Sequence, residues 1–179
     1  MKKKTGILYI VSTPIGNLGD ITYRGVKILN LVNLIAAENI YHSKKLLNYY
    51  NINVSLTSYN EHNSKKKIPI LLDKLKEGLN IALISDAGTP GISDPAYRLI
   101  RELIANKIRI EIIPGVSASI AGLVLSGLPT DRFLFEGFLP PKKGRKLRLN
   151  KIKNETATLI FFESPKRIFR TLNDLYNIL

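Results

Sequence analysis

Residues 81–95 read IALISDAGTPGISDP, an uninterrupted apolar run followed by a loop rich in glycine, proline and aspartate. Apolar runs of this kind are typical of strands that are covered on both faces, so we expect a buried strand from Ile81 to Ser85. Asp94 before Pro95 is typical of a helix N-cap followed by proline at the first helical position. The stretch therefore predicts a strand, a loop at the edge of a sheet, and a helix over Ala96 to Lys107.

Similar apolar runs alternate with helical patterns along most of the chain. This alternation favours parallel strands joined by crossover helices, so we predict an α/β fold. Apolar residues recur at helical spacing in residues 68–79 and 99–104. A helix rich in small and apolar residues is expected over 120–128, and a last helix from Pro165 to the end. Strands are predicted from Gly6 to Ser12, Leu34 to Glu38, Ile81 to Ser85, Arg109 to Ile113, Phe133 to Phe138 and Thr156 to Glu163.

A candidate hinge follows the strand that ends at Ile113. Residues 114–119 read PGVSAS and open a helix of small and apolar residues. We expect a domain boundary here, with an N-terminal α/β domain over residues 1–114 and the start of a C-terminal α/β domain over residues 115–179. The second unit has only about 65 residues and stops on an apolar helix face, so we expect it to be incomplete beside typical domains.

The chain is strongly basic. Its 27 lysines and arginines outnumber 14 acidic residues, which gives a net charge of +13. Such an excess favours a polyanionic partner, and nucleic acid is the leading candidate. The alternative is that a lysine-rich composition merely keeps the protein in solution.

Other functional classes are excluded or disfavoured by composition. The absence of cysteine excludes disulfides, thiolate zinc sites, cysteine nucleophiles and iron–sulfur clusters. No apolar run approaches the roughly 20 residues that cross a bilayer, so we expect a cytoplasmic protein with no membrane partner.

Residues 85–95, the Asp86 loop, are the strongest candidate for a ligand site. Two glycines, two prolines and two aspartates permit unusual backbone conformations and let a ligand approach the main chain. Ligands of open α/β sheets bind outside the carboxyl ends of the strands, where this loop lies. Residues 13–20, the first loop, occupy the equivalent place after the first strand and match neither a dinucleotide fingerprint nor a P-loop. The alternative is a pair of tight turns, one with a helix cap.

Residues 140–148, the basic segment, read PPKKGRKLR and follow the aromatic residues Phe133, Phe135 and Phe138. Lysine and arginine can track phosphates, and exposed aromatic rings can stack on unpaired bases. We predict RNA contacts at Lys142, Lys143, Arg145 and Lys146. The alternative is a solvated basic helix, with the phenylalanines buried in their strand.

Five segments, in order along nearly the whole chain, resemble a known family: residues 12–22, 85–95, 113–118, 127–133 and 162–165. They are similar to signature segments of the bacterial ribosomal RNA small subunit 2′-O-methyltransferases, within the tetrapyrrole-methylase superfamily. The resemblance implies a two-domain class III methyltransferase, usually a homodimer, with S-adenosyl-L-methionine held between the domains. It implies methylation of a cytidine ribose in the 16S ribosomal RNA of the small ribosomal subunit.

The family's site residues can be assigned to positions of this sequence that match the family's motifs. The implied cofactor contacts, many of them through backbone groups, are Ile15, Ala87, Gly88, Thr89, Ile92, Ser117, Ala118 and Glu163, and no metal is implied. Two features differ from the family. The segment Glu38-Asn39-Ile40-Tyr41-His42 stands where relatives usually have Glu-Asp-Thr-Arg-His, and relatives continue well beyond Leu179.

The proposed chemistry needs a group that takes up the proton of the ribose hydroxyl. Glu38, His42, Glu61, His62 and Asp86 are the candidates. Glu38 and Asp86 rank first because both are expected at strand ends that face the cleft, although Asp86 could instead brace its loop and either histidine could be a surface residue.

Two other functions stay open. The same fold could methylate a small tetrapyrrole precursor, whose carboxylates would also attract lysine and arginine. A noncatalytic RNA-binding protein is the third possibility, suggested by the altered residues 39–41.

Overall fold

The computed structural model describes residues 4–179, which form two compact units. The first unit ends at Ser117 and the second runs from Ala118 to Leu179. Within residues 4–179, no helix has the length and apolar character needed to cross a membrane.

A five-stranded sheet forms the centre of the first unit and confirms the predicted α/β class. Its strand order is β3-β2-β4-β1-β5, and every pair of neighbours is parallel. The strands are β1 (Ile7–Val11), β2 (Leu34–Ala37), β3 (Leu56–Ser58), β4 (Ile81–Ile84) and β5 (Arg109–Ile113). All four residues of β4 are buried because helices cover both faces of the sheet.

Two helices cover each face. On one face lie α1 (Tyr23–Leu31) and α2 (Ile40–Tyr49), whose Leu29 and Leu47 share a core cluster with Ala82 and Ile84 of β4. On the other face lie α3 (Ser64–Lys76) and α4 (Ala96–Ala105), which share a second cluster with Ile81 of β4. Successive strand residues point to opposite faces, so β4 contributes to both cores.

This topology creates a crevice at the carboxyl ends of β1 and β4. The chain leaves β1 through α1 on one face and leaves the neighbouring β4 through α4 on the other. Loops that diverge from adjacent strands leave an opening between them, and ligands of open α/β sheets bind there. The first loop and the Asp86 loop therefore border the same opening.

The second unit contains a two-stranded parallel sheet of β6 (Phe133–Phe138) and β7 (Thr158–Phe162). Its helices are α5 (Ala118–Ser126), α6 (Arg145–Ile152) and α7 (Ile168–Tyr176). A small core is built from Leu139, Leu149, Ile152, Leu159, Phe161, Leu175 and Ile178.

Candidate functional site

The first loop and the Asp86 loop are joined by a two-way backbone pair. The N–H of Thr13 donates to the carbonyl of Gly88 at 2.9 Å, and the N–H of Gly88 donates back to Thr13 at 3.0 Å. The buried Thr13 hydroxyl also donates to the carbonyl of Ser85 at 3.0 Å. Gly88 has a φ of +78°, a conformation that favours glycine. The structure thus brings together the two loops that the sequence analysis paired.

A third loop, after β5, contacts the same region. Ser12 Oγ lies 2.9 Å from Thr89 Oγ1, and the Thr89 hydroxyl donates to the carbonyl of Val116 at 3.4 Å. A Cβ added to Gly115 would lie 2.9 Å from Ser12 Cβ, so this close approach requires glycine. Three strand ends therefore form one rim with much main chain and few large side chains.

The predicted cofactor residues fall in both units. Ile15, Ala87, Gly88, Thr89, Ile92 and Ser117 lie on the three rim loops of the first unit. Ile92 is 47% exposed. Ala118 and Glu163 belong to the second unit.

The Glu163 carboxylate is engaged within its own unit. It accepts hydrogen bonds from the Thr171 hydroxyl at 2.7 Å and the Ser164 N–H at 2.8 Å, and it pairs with Arg167 at 2.7 Å. Burial works to raise the pKa of Glu163, but the hydrogen bonds and the guanidinium outweigh it and lower the pKa overall. Any contact from Glu163 to a cofactor is therefore expected to use its backbone.

A cavity of about 390 Å³ opens beside the first loop, on the side of α2; we call it the α2 cavity. Its apolar wall is formed by Pro14, Ile15, Leu18, Leu46 and Ile84. Its polar side chains are those of Thr13, His42, Ser43, Lys45, Ser85 and Asp86.

Glu38 and Asp86, the two acids ranked first, lie side by side. They follow the paired strands β2 and β4, and the N–H of Asp86 donates to Glu38 Oε2 at 3.4 Å. Burial raises the pKa of Glu38, the Asp86 N–H opposes this, and the carboxylates of Asp86 and Asp94 raise it further. Glu38 therefore holds a proton more readily than an exposed glutamate does.

Asp94 and Tyr59 stabilise the far end of the Asp86 loop. The Asp94 carboxylate accepts hydrogen bonds from Ala96 N–H at 2.7 Å and Gly91 N–H at 2.8 Å, although burial raises its pKa. Pro95 occupies the N-cap position, one residue later than expected, while the Asp94 side chain supplies the capping bond. Burial raises the pKa of Tyr59 to about 12, and its hydroxyl donates to the carbonyl of Pro95 at 3.1 Å.

The remaining proton-acceptor candidates lie in different environments. His42 is exposed and lines the α2 cavity. Glu61 is ion-paired with Arg98 at 2.6 Å, and His62 is exposed on the neighbouring turn. Within residues 4–179, no group of three or more histidine, aspartate or glutamate side chains is arranged to hold a metal.

Asn39, one of the residues that differs from the family pattern, caps α2. Its side-chain oxygen accepts hydrogen bonds from the N–H groups of Tyr41 at 3.0 Å and His42 at 3.3 Å. Asparagine and aspartate serve equally well at this position, so the change from acid to amide preserves the helix start. Tyr41 is 85% exposed.

Arg145 corrects one prediction in the basic segment. Its side chain is only 5% exposed, and its guanidinium donates to Asp174 at 2.7 Å, Thr171 at 2.8 Å and the carbonyl of Pro140 at 3.3 Å. A buried guanidinium with a hydrogen bond from each of its three nitrogens is not available to a phosphate, so Arg145 stabilises the second unit instead. Lys142, Lys143 and Lys146 are exposed.

Ser43 and Lys45 were not anticipated as site residues. They come from α2, which the sequence analysis did not predict, and Ser43 is 3% exposed. A single serine in a lysine- and leucine-rich stretch carries no spacing signal, so only the packing of α2 beside the first loop reveals it.

The chain is similar to known proteins over nearly its full length. The sequence profile of the tetrapyrrole (corrin/porphyrin) methylases matches residues 7–179. A Buchnera aphidicola (subsp. Baizongia pistaciae) protein named ribosomal RNA small subunit methyltransferase I is 53% identical over 99% of this chain, which spans only 61% of that relative. A Thermotoga maritima protein of the same name is 48% identical over 97% of this chain, which spans 78% of it.

Solved structures share the fold. The methyltransferase CobJ superposes on 98% of this chain and 77% of its own length, with a TM-score of 0.72 and 20% identity. At that identity the likeness concerns the fold alone.

Proposed function

The chain belongs to the tetrapyrrole (corrin/porphyrin) methylase family, and on that premise we propose that it is an S-adenosyl-L-methionine-dependent methyltransferase acting on 16S ribosomal RNA. The reaction is methylation of the ribose 2′-hydroxyl of a cytidine. The observation that carries the proposal is an identity of about half to proteins named ribosomal RNA small subunit methyltransferase I, over almost all of this chain.

The rim loops fit the cofactor. Their small side chains, the positive φ of Gly88 and the close approach at Gly115 leave main-chain donors and acceptors available to a ligand. When bound, S-adenosyl-L-methionine supplies a methyl group on a positively charged sulfur. We assign its contacts to Ile15, Ala87, Gly88, Thr89, Ile92, Ser117, Ala118 and Glu163.

The acids at the ends of β2 and β4 supply the proton acceptor. A ribose hydroxyl is a poor nucleophile until its proton is removed, and a carboxylate with a raised pKa accepts a proton better than an ordinary one. Glu38 has such a pKa, and Asp86 is its direct neighbour. We assign the proton acceptor to Glu38, and Asp86 contacts it through its N–H.

The charge of the molecule supports an RNA substrate. The net charge of +13 far exceeds what one small-molecule pocket needs, and Lys142, Lys143 and Lys146 are exposed to reach phosphates. The proposed partner is therefore the small ribosomal subunit, which implies a cytoplasmic location and no membrane partner. A homodimer is proposed with it, as the family resemblance implies.

The deciding experiment offers two substrates. Purified protein is incubated with methyl-labelled S-adenosyl-L-methionine and either unmodified small ribosomal subunits or a tetrapyrrole precursor, and products are mapped by mass spectrometry. We expect label on a cytidine ribose and almost none on free cytidine, because RNA is recognised largely by shape. Label on a tetrapyrrole carbon would reassign the substrate, and bound cofactor with no labelled product would favour a noncatalytic RNA-binding role.

A further inference from the structure

The face of the first unit that α1 and α2 cover is poor in acidic residues. From Ile21 to Asn60 the only acidic residue is Glu38, which is half-buried beside Asp86. Neither α1 nor α2 contains an aspartate or a glutamate, whereas α3 and α4 on the opposite face expose Asp73 and Glu102. A lysine-rich composition would affect both faces alike, so this uneven distribution favours a polyanionic partner on the face of α1 and α2.

Helix α2 turns an aromatic and basic side to solvent, which we call the α2 outer face. Side chains three or four residues apart lie on one side of a helix, and the exposed ones here are Tyr41, Lys44, Lys45, Asn48 and Tyr49. Tyr41 is 85% exposed and Tyr49 is 63% exposed, so neither ring is packed inside the first unit. Tyrosine is also a weaker helix former than lysine. Neither internal packing nor helix stability therefore explains the two tyrosines, and a contact outside the unit does.

The order of the side chains on the α2 outer face matches a strand of nucleotides. Tyr41 and Tyr49 are about 12 Å apart along the helix axis, so one base cannot cover both rings. Lys44 and Lys45 lie between them. This order of ring, cations and ring fits two unpaired bases and the phosphates that join them. Proteins that bind single-stranded nucleic acid combine cations that follow the backbone with aromatic rings on which bases stack.

The Tyr49 ring is held in place before any partner binds. It meets the ring of Tyr50 edge to face, with 4.9 Å between the centroids and 76° between the planes. Tyr50 is half-buried, and its hydroxyl donates to the carbonyl of Leu18 at 2.8 Å. A side chain that is already ordered loses less conformational entropy on binding. Tyr49 is therefore well suited to stack on a base.

We propose that the α2 outer face binds a single-stranded segment of the RNA substrate. Tyr41 and Tyr49 stack on unpaired bases, and the two lysines between them contact the phosphates. This inference rests on the proposed function, and it adds an RNA-contact surface on the first unit to the basic segment of the second. Lys45 also lines the α2 cavity, so the bound strand passes beside the first loop.

Other occupants fit the α2 outer face less well. An RNA duplex hides the faces of its bases, so it offers phosphates to the lysines but nothing on which the two rings can stack. A second copy in a two-fold dimer would bring the same patch against itself, and Lys44 and Lys45 would then meet their own counterparts. Lysine is also depleted from protein–protein interfaces. The lysines between the tyrosines therefore favour RNA over a second copy.

Binding of short RNAs tests the surface without relying on turnover. Fluorescence anisotropy measures the affinity of the protein for a labelled oligouridine, which is unstructured, and for a labelled RNA duplex of the same length. Loss of stacking costs roughly fivefold or more per base, so Tyr41→Ala and Tyr49→Ala should each weaken oligouridine binding by about that factor. Tyr41→Phe and Tyr49→Phe keep the ring and should bind like wild type. The affinity for the duplex should be unchanged in all four variants.

A tryptophan probe locates the bound strand. The chain contains no tryptophan, so Tyr49→Trp places a single indole on the α2 outer face. Stacking on a base should quench its emission as oligouridine is added. Tyr176→Trp is the matched control, because Tyr176 is 87% exposed on α7, outside the α2 outer face, and its emission should not change. Lys44→Gln should reduce the slope of log affinity for oligouridine against log salt by about 0.7 unit, as expected for one phosphate contact.

The outcomes separate this inference from the proposed function. Wild-type oligouridine affinity in both alanine variants, an equal loss of duplex affinity, or an unquenched Tyr49→Trp overturns the surface. A dimer in sedimentation that Tyr41→Ala and Tyr49→Ala dissociate, without an effect on RNA affinity, would reassign the α2 outer face to a second copy. If the wild type does not methylate ribose yet the binding results hold, the surface stands and the proposed function fails. If ribose is methylated and the alanine variants bind like wild type, the proposed function stands alone.

Discussion

Glu38 has an environment that works against its negative charge. It is half-buried, two aspartates lie nearby, and one N–H from Asp86 at 3.4 Å is the hydrogen bond that opposes them. Structure alone gives no reason to keep an acid there, since a neutral residue would remove the repulsion. A need for proton uptake does give one, because active sites are where such penalties are retained.

Glu38→Gln should therefore raise the stability of the protein at neutral pH and lower its activity. The pKa of Glu38 is raised above 4.5, so the folded protein binds more protons than the unfolded chain between 4.5 and that raised value, and stability falls as pH rises through this window. Thermal unfolding should show the variant more stable than wild type at neutral pH, with the difference vanishing below pH 4.5. Loss of the base should slow ribose methylation by about 10²-fold or more.

The exposed Glu77→Gln provides the control, because it makes the same chemical change outside the site. It should leave the rate of ribose methylation unchanged. A Glu38→Gln variant with wild-type turnover would remove Glu38 from the reaction.

Individual side chains were the hardest features to predict from sequence. Arg145 and Lys146 are adjacent, equally basic and indistinguishable by composition, yet one is 5% exposed and the other points to solvent. The difference arises because α6 turns Arg145 towards Asp174 of α7, a contact 29 residues away. Ser43 was not predicted as a site residue for a related reason, since its burial depends on how α2 packs.

Strands with continuous apolar runs were predicted well. Elements without a clear apolar pattern were missed. The bounds of β5 and β6 match the sequence prediction, and β1, β2 and β4 lie within the predicted ranges. The three-residue strand β3 was missed because its residues are half-buried and partly polar, so no apolar run marks it. Helix α2 was missed because lysine, asparagine and tyrosine interrupt its apolar face.

The start of α2 depends on Asn39. Asn39→Ala should lower the free energy of unfolding by about 1 kcal/mol, because two N–H groups of the first turn lose their acceptor. Asn39→Asp should match or slightly exceed wild type, since a negative charge favours a helix N-terminus. Urea denaturation monitored by circular dichroism measures both. Asn48→Ala, in the same helix but exposed, should leave stability unchanged or raise it.

Over the whole molecule, positive charge is too widely spread to serve one pocket. The excess of 13 includes lysines in both units, so it predicts a large polyanionic partner rather than a small carboxylate ligand. Net charge can be taken from the sequence because it does not depend on packing. The sequence does not reveal which lysine and arginine side chains are available to contact a partner, because tertiary contacts such as those of Arg145 decide this.

The lysines of the basic segment should therefore act through salt-sensitive phosphate contacts. Each contact releases counterions, so replacing Lys142, Lys143 and Lys146 together by glutamine should reduce the slope of log affinity against log salt by about two to three units. Affinity should fall similarly for different RNA sequences, because phosphates carry no sequence information. Arg145→Gln should instead lower the free energy of unfolding by roughly 2 kcal/mol and leave the slope unchanged, because its guanidinium is bonded within the protein. Filter binding to small-subunit RNA over a range of salt concentrations measures the slopes. A slope that responds to Arg145→Gln and not to the three lysines would reverse the assignment and show that the basic segment serves solubility.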